Sequence, residues 1–323
     1  PNTPEIYALS KNVSVATGRV TQNGISVSLS KNTLARGVDG DTATVTMRMV
    51  DRVGNTVPDG TVVSFVTEGG KITSNCATVN GICSVTFTTQ NPRPVDDRVS
   101  VVAYVEGDKQ FVDANGNNMF DIGEPLVNNL GGFYRDDNEN SKHDFGEYVY
   151  TRPLNGSALA CGTSTFNEPN LISQVTSINP LQTITQQCDN QLPAVLRYEF
   201  VLGLAGNVPV FVPPFTTIPA GTGYYSFKMY GNSLLNVSMP AGTTISVSTK
   251  DNTDKNELTC TAEMVSGSLT VPALVDLSNL TVAVNDVTYE LKYKDCALGD
   301  DIRITTNTPS PAANTITQIV NIK

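Results

Sequence analysis

Tryptophan is absent from the 323 residues, and histidine occurs once, as His143. A single imidazole cannot build a histidine-rich zinc centre, and no cysteine pair has the short spacing of a zinc knuckle. His143 also has no serine or cysteine pattern that would make it the base of a nucleophilic pair, so it is read as a bystander. Charged residues are scarce, at 16%, and acids outnumber bases 31 to 21, for a net charge of −10. That balance disfavours nucleic acid and anionic membranes as partners. There is no basic patch and no phosphate-cradling glycine loop. No apolar run is long enough to span a bilayer, so direct membrane insertion by this segment is not expected. No stretch carries apolar residues at helical spacing.

What is present is β-forming. Valine and threonine are branched at Cβ and favour pleated, half-buried surfaces. Strand signals recur at short intervals from Asn23-Gly24 onward. Ile25, Val27 and Leu29 alternate with serine; Ala43, Val45, Met47 and Met49 alternate with polar residues; Val62–Val66 reads as a strand buried on both faces; Cys83, Val85 and Phe87 alternate again; and Val99–Val105 closes the set. Turn residues such as Gly54-Asn55, Asp59-Gly60 and Gly69-Gly70 separate them. Such spacing predicts a β-sandwich. Six cysteines fall into three sequence-local pairs, Cys76/Cys83, Cys161/Cys188 and Cys260/Cys296. Six cysteines allow fifteen pairings, and this grouping is the expected one. An even count in a low-charge β chain points to an oxidising compartment, hence to an exported protein. Pro1 is not an initiator, so the chain reads as a mature product or an excised fragment.

The stretch "LARGVDGDTATVTMRMVDRVGNTVPDGTVVSFVTEGGKITS", followed by "TVNGICSVTFTT", resembles the bacterial immunoglobulin-like domains of the intimin and invasin type. The matching positions are Asp51, Gly54-Asn55, Val57-Pro58, Val63, Phe65, Gly69-Gly70, Asn80-Gly81, Val85 and Thr88, within about residues 25–105. Cys76, Cys83 and the "QNPRP" at 90–94 resemble a subgroup that carries EF-hand-like calcium loops behind the sandwich. The resemblance implies an immunoglobulin-like fold, a place on a bacterial cell surface and a role in adhesion. The cysteine pair is expected to clamp a hairpin.

Two segments share one spacing. Asp113, Asn115, Asn117, Met119, Asp121 and Glu124 stand at positions one, three, five, seven, nine and twelve of the first. Asp136, Asn138, Asn140, Lys142, Asp144 and Glu147 stand there in the second. This is the ligand pattern of an EF-hand loop: calcium takes six to eight oxygens, position seven supplies only its carbonyl, and the final Glu closes the shell. Two calcium ions are expected, with affinity in the extracellular range of about 10⁻⁴ to 10⁻³ M or somewhat tighter. Between Asp113 and Glu147 eight carboxylates face only Arg135 and Lys142, so this segment holds six of the ten net negative charges. Two departures stand out. The glycine usual at position six is Asn118 or Ser141, and strand-like Gln110–Val112 and Pro125 replace flanking helices. Dense carboxylates could also serve glycoside hydrolysis, but metal ligation accounts for them here.

The expected architecture is all-β: tandem immunoglobulin-like β-sandwich domains with a calcium-loop insertion and a connector. Residues 1–21 are a linker or the end of a preceding domain. Residues 22–112 form the first sandwich, 113–155 the calcium loops, 156–195 a disulfide-tied connector and 196–323 a second sandwich. Tyr224, Tyr225 and Tyr230 are weighed as a glycan platform against ordinary strand packing, and packing is favoured. The functional expectation is a non-catalytic adhesin or stalk rigidified by calcium. Its partner is a protein or glycan on another cell surface, or a neighbouring subunit. The alternatives are a carbohydrate-binding module of a secreted enzyme and a subunit of an extracellular fibre.

Overall fold

The computed structural model describes residues 18–127, 129–141, 143–161, 174–179, 182–185, 188–214, 217–252, 259–275, 277 and 288–323. Most of the expected 1–21 linker, part of the expected 156–195 connector and Lys142 lie outside them. All regular structure described is β, and among the described residues no helix is long and apolar enough to cross a membrane.

The first sandwich begins with β1 (Val20–Leu29), β2 (Thr33–Ala35), β3 (Thr42–Asp51), β4 (Val62–Thr67), β5 (Lys71–Ile72), β6 (Asn75–Ala77), β7 (Ile82–Thr88) and β8 (Arg98–Asp108). One layer runs β1-β3-β7-β5. Strict alternation makes it: in β3 and β7 the side chains of Ala43, Val45, Met47, Met49, Cys83, Val85 and Phe87 are buried and their neighbours are largely exposed, as period-two pleating requires. The other layer contains β4 between β6 and β8. Thr21 joins the two layers through one parallel pair with Asp108.

The chain then leaves this sandwich and returns to it. Short strands β9 (Gln110–Phe111), β10 (Leu126–Val127), β11 (Phe133–Tyr134), β12 (Val149–Tyr150), β13 (Ala158–Leu159), β14 (Gln174–Asn179), β15 (Gln182–Thr185) and β16 (Cys188–Asp189) form an excursion of two-stranded ribbons. β17 (Pro193–Ala205) follows and pairs antiparallel with β8 from Pro193/Asp108 to Gly203/Arg98. Its far side pairs parallel with β2. The expected boundary at 196 is therefore corrected: β17 is a strand of the first sandwich, and Val99–Val105 does not close that set. The excursion is an insertion between two paired strands.

This placement explains the apolar run in β8. Val101, Ala103 and Val105 belong to the sandwich core, while Val102 and Tyr104 face the insertion, where Val66, Val195, Phe133, Tyr148 and Tyr150 gather. Phe133 stacks on Tyr150 with centroids 5.0 Å apart, and Tyr104 tilts against both. A strand buried on both faces reads as a continuous apolar run rather than an alternation.

The second sandwich comprises β18 (Val210–Val212), β19 (Thr217–Ile218), β20 (Gly221–Tyr230), β21 (Thr244–Lys250), β22 (Thr261–Ser266), β23 (Tyr289–Cys296), β24 (Asp301–Thr308) and β25 (Asn314–Ile322). Its two four-stranded layers, β18-β20-β23-β22 and β19-β25-β24-β21, enclose Phe227, Met239, Leu291, Ile302, Ile304 and Val320.

All three expected cysteine pairs are bonded. Cys76–Cys83 spans the Asn80-Gly81 turn, a two-residue hairpin in which Val79 and Ile82 exchange both backbone bonds (2.9 and 3.1 Å). Beyond the turn β6 pairs with β4 and β7 with β3 and β5, so the bond that clamps the hairpin also ties the two layers together.

The sandwiches meet closely. The backbone N–H of Asn32 donates to the Ala273 carbonyl (3.0 Å) and that of Ala241 to the Thr33 carbonyl (3.2 Å). The Asn32 side chain donates to the Val275 carbonyl (2.6 Å) and accepts from its N–H (3.0 Å). Glycine permits this approach: a Cβ on Gly203 would stand 2.7 Å from Val237 Cγ1.

Candidate metal centre

The two oxygen-rich loops fold alike. In the first, Asp113 Oδ1 accepts the amide N–H groups of Gly116 (2.7 Å) and Asn117 (3.2 Å), and Oδ2 that of Asn118 (2.7 Å). In the second, Asp136 accepts from Asn140 (3.1 Å) and Ser141 (2.6 Å). The side-chain amides of Asn115 and Asn117 donate to Asp121 Oδ2, as those of Asn138 and Asn140 do to Asp144 Oδ2. The closing glutamates repeat the pattern. Glu124 accepts from the amides of Ala114 and Asp121, and Glu147 from those of Asp137 and Asp144.

The backbones match too. Positions four, six and eleven are left-handed in both loops: Gly116, Asn118 and Gly123 in the first, Glu139, Ser141 and Gly146 in the second. At position six Asn118 (φ 61°) and Ser141 (φ 63°) take the conformation that glycine normally supplies. That costs little for asparagine and more for serine, and the two amide bonds into Asp136 hold the serine turn in place.

Among the described residues no three carboxylate, imidazole or thiolate groups converge tightly enough to hold a metal ion. The chemistry of the donor set nevertheless suits calcium. Each loop offers carboxylate and amide oxygens at alternate positions and no nitrogen or sulfur ligand, which fits a hard cation. Lys142, expected to contribute its carbonyl, lies outside the described residues. Met119 is exposed, and its expected contribution is likewise its carbonyl.

The loops differ in setting. The first projects from the sandwich and is steadied by Arg52, whose Nη2 donates to Asn118 Oδ1 (3.2 Å) and whose guanidinium lies 4.4 Å from the centroid of Phe111. Amide bonds, from Asn118 foremost, hold the Asp113 carboxyl below the usual carboxylate range, with the nearby Arg52 adding to them. A cavity of about 570 Å³ lies between this loop and the sandwich edge, lined in part by Arg19, Arg52, Phe111, Met119 and Phe120.

The second loop is packed down. The Asp136 N–H donates to Glu199 Oε1 on β17 (3.0 Å), and its carbonyl accepts from Ser100 Oγ on β8 (2.8 Å). Burial, together with the charges of Asp136 and Asp137, pushes Glu147 up to about 7 and Glu199 up to about 9. Burial and the charges of Asp137 and Asp96 push Glu68 up to about 8. Burial likewise lifts Glu139 to about 7 against the opposing pull of Arg98. Crowded acids with raised affinity for protons are groups that a cation would return to their ionised forms.

Arg52, Arg98, Glu68 and Glu199 were not singled out by sequence. Arg52, Arg98 and Glu199 each reach their loop across a long chain separation, Glu68 accepts from the Ser100 N–H on β8, and no local motif marks any of them. His143 packs edge-on against Tyr134, centroids 5.5 Å apart. The favoured reading of the tyrosines as strand packing holds for two of the three: Tyr230 is buried and Tyr225 packs against the second core, while Tyr224 is exposed.

No family model matches the chain, and no curated protein matches it. Among solved structures it aligns with the Yersinia pseudotuberculosis adhesin InvE over 96% of its own length and 62% of that chain, at 10% identity and a TM-score of 0.25. It aligns over 92% of its length with 63% of a C-terminal 282-residue intimin fragment solved with the intimin-binding domain of its receptor Tir, at 13% identity and a TM-score of 0.25. It also covers the whole of an Escherichia coli FdeC adhesin structure at 10% identity and a TM-score of 0.21. At scores this low the likenesses carry no argument, and the β architecture stands on its own strand pairings.

Proposed function

We propose that the chain is a non-catalytic, extracellular module of a bacterial surface adhesin or stalk, in which two calcium ions stiffen the insertion and its seat on the sandwiches. The observation that carries this reading is the repetition of one loop conformation, with left-handed residues at the same three positions and the same amide bonds into the first and last acids. Asp113, Asn115, Asn117, Asp121 and Glu124 would hold one ion with the Met119 carbonyl. Asp136, Asn138, Asn140, Asp144 and Glu147 would hold the other with the Lys142 carbonyl. The chemistry supplied by the ions is charge neutralisation and loop ordering. Three disulfides suit an oxidising, extracellular setting. The adhesive role follows the sequence resemblance to intimin- and invasin-type domains, and the partner is a protein or glycan of another cell surface, or a neighbouring subunit.

Thermal melts of the chain with calcium and with chelator test the ion reading. A ligand at a hundredfold excess over its Kd adds about 2.7 kcal/mol per site. The melting temperature is therefore expected to fall on chelation, and less so in D113A/D136A. Superimposable melts, with no heat of calcium binding by calorimetry, would reject calcium ligation.

A further inference from the structure

Arg98 opens β8, and its side chain is 1% exposed. The guanidinium touches two other parts of the molecule. Nη2 donates to the carbonyl of Leu277, and Nη1 to that of Asn236 at 3.5 Å, both in the second sandwich. Nε lies 3.1 Å from Glu139 Oε1, in the second loop of the insertion. The preceding residues reinforce the junction: Asp97 Oδ2 accepts from Asn232 Nδ2 (3.2 Å), and the Asp96 carbonyl accepts from Asn236 Nδ2 (3.3 Å).

Glu139 stands at position four, left-handed at φ 48°, between Asn138 and Asn140. It is not an expected ligand, yet its two neighbours are. Whatever fixes positions three and five fixes the backbone that carries Glu139, and so holds the counter-charge under Arg98. A buried guanidinium that loses its anion is costly, and the remaining anchors of Arg98 are carbonyls across the domain junction.

We infer that Arg98 couples cation binding at the second loop to the fixing of the second sandwich on the first. The inference rests on reading the loops as calcium sites. The first loop is a built-in control: its arginine, Arg52, binds Asn118 and lies near Asp113, both within the insertion.

Two measurements on the full chain test the coupling. Calorimetry counts bound calcium, and hydrogen exchange reads the junction amides of Asn32, Ala241 and Val275. In the wild type, calcium is expected to slow exchange at these amides by about fivefold or more, the lower end of ordinary site-to-site coupling. E139Q and R98M are expected to bind two ions still, while calcium no longer slows the junction. By reciprocity the second loop of each variant should lose about the same factor in affinity, with the first loop unchanged. E139Q keeps the test decisive should R98M misfold. If calcium binds and protects the junction equally in wild type and E139Q, the coupling is wrong and the loops remain calcium sites. If calorimetry detects no calcium, the loop reading falls and takes the coupling with it.

Discussion

Replacing Lys109 with methionine is expected to destabilise the first sandwich by about 3–5 kcal/mol, the usual cost of stranding one member of a buried ion pair. Lys109 is 2% exposed and Asp189 is 4% exposed. Lys109 Nζ donates to Asp189 Oδ1 (2.7 Å) and to the Asp189 carbonyl (2.9 Å). The same carboxylate accepts the amides of Asn155 (2.9 Å) and Gln191 (3.1 Å). The pair joins the end of β8 to the segment that leads into β17, so it closes the neck of the insertion. Burial alone would raise the Asp189 pKa, but the bonds from Lys109, Asn155 and Gln191 outweigh it and hold the carboxyl below its ordinary range. A depressed carboxylate contributes stability above its unfolded pKa and loses it as pH falls through the folded one. The deficit of K109M is therefore largest near neutrality and shrinks as acid protonates the stranded Asp189. Urea unfolding at several pH values checks both size and sign. The double variant K109M/D189N is expected to recover most of the loss, because a pair removed together leaves no buried charge. A K109M deficit below about 1 kcal/mol, the worth of an exposed pair, would show that the neck is not held by this contact.

Phe133→Ala is expected to cost about 3–5 kcal/mol, in the range for a fully buried aromatic truncated to a methyl. Phe133 is 0% exposed. It packs between Tyr150 and Tyr104 of the aromatic cluster, and the guanidinium of buried Arg197 lies 5.6 Å from its centroid. Its loss opens a cavity under the insertion and leaves both sandwich cores complete. The damage should thus be local: faster hydrogen exchange at Tyr134 and Arg135 and easier proteolysis within 113–155, with the second sandwich unchanged. Equal loss of protection in β23 and β24 would mean that the insertion is not a separately released layer.

Strand existence was readable because period-two burial leaves its mark in single residues such as Val45, Met47 and Phe87. Strand membership was not. Leu196 to Val201 looks the same whether its partner is β8 or a strand downstream, and nothing local says that the chain has come back. Tyr230 illustrates the same point, because period two gives two faces without saying which is inward. The loops were legible as a repeated oxygen pattern, including the odd residues at position six, which the structure resolves as left-handed Asn118 and Ser141. Their unequal settings were not. That one loop stands clear while the other presses on Glu199 and Arg98 depends on the return of β17, which no motif encodes.

The pairing of Asp108 with Pro193 brings the two ends of the insertion side by side. Tension applied along the chain can cross from β8 to β17 through their ladder without running through the insertion, and the oxygen-rich loops hang outside that line like a bypass. Under the coupling inferred above they would tighten or slacken the seat of the second sandwich without carrying load, and pulling need not strip them until the β8–β17 ladder itself gives way.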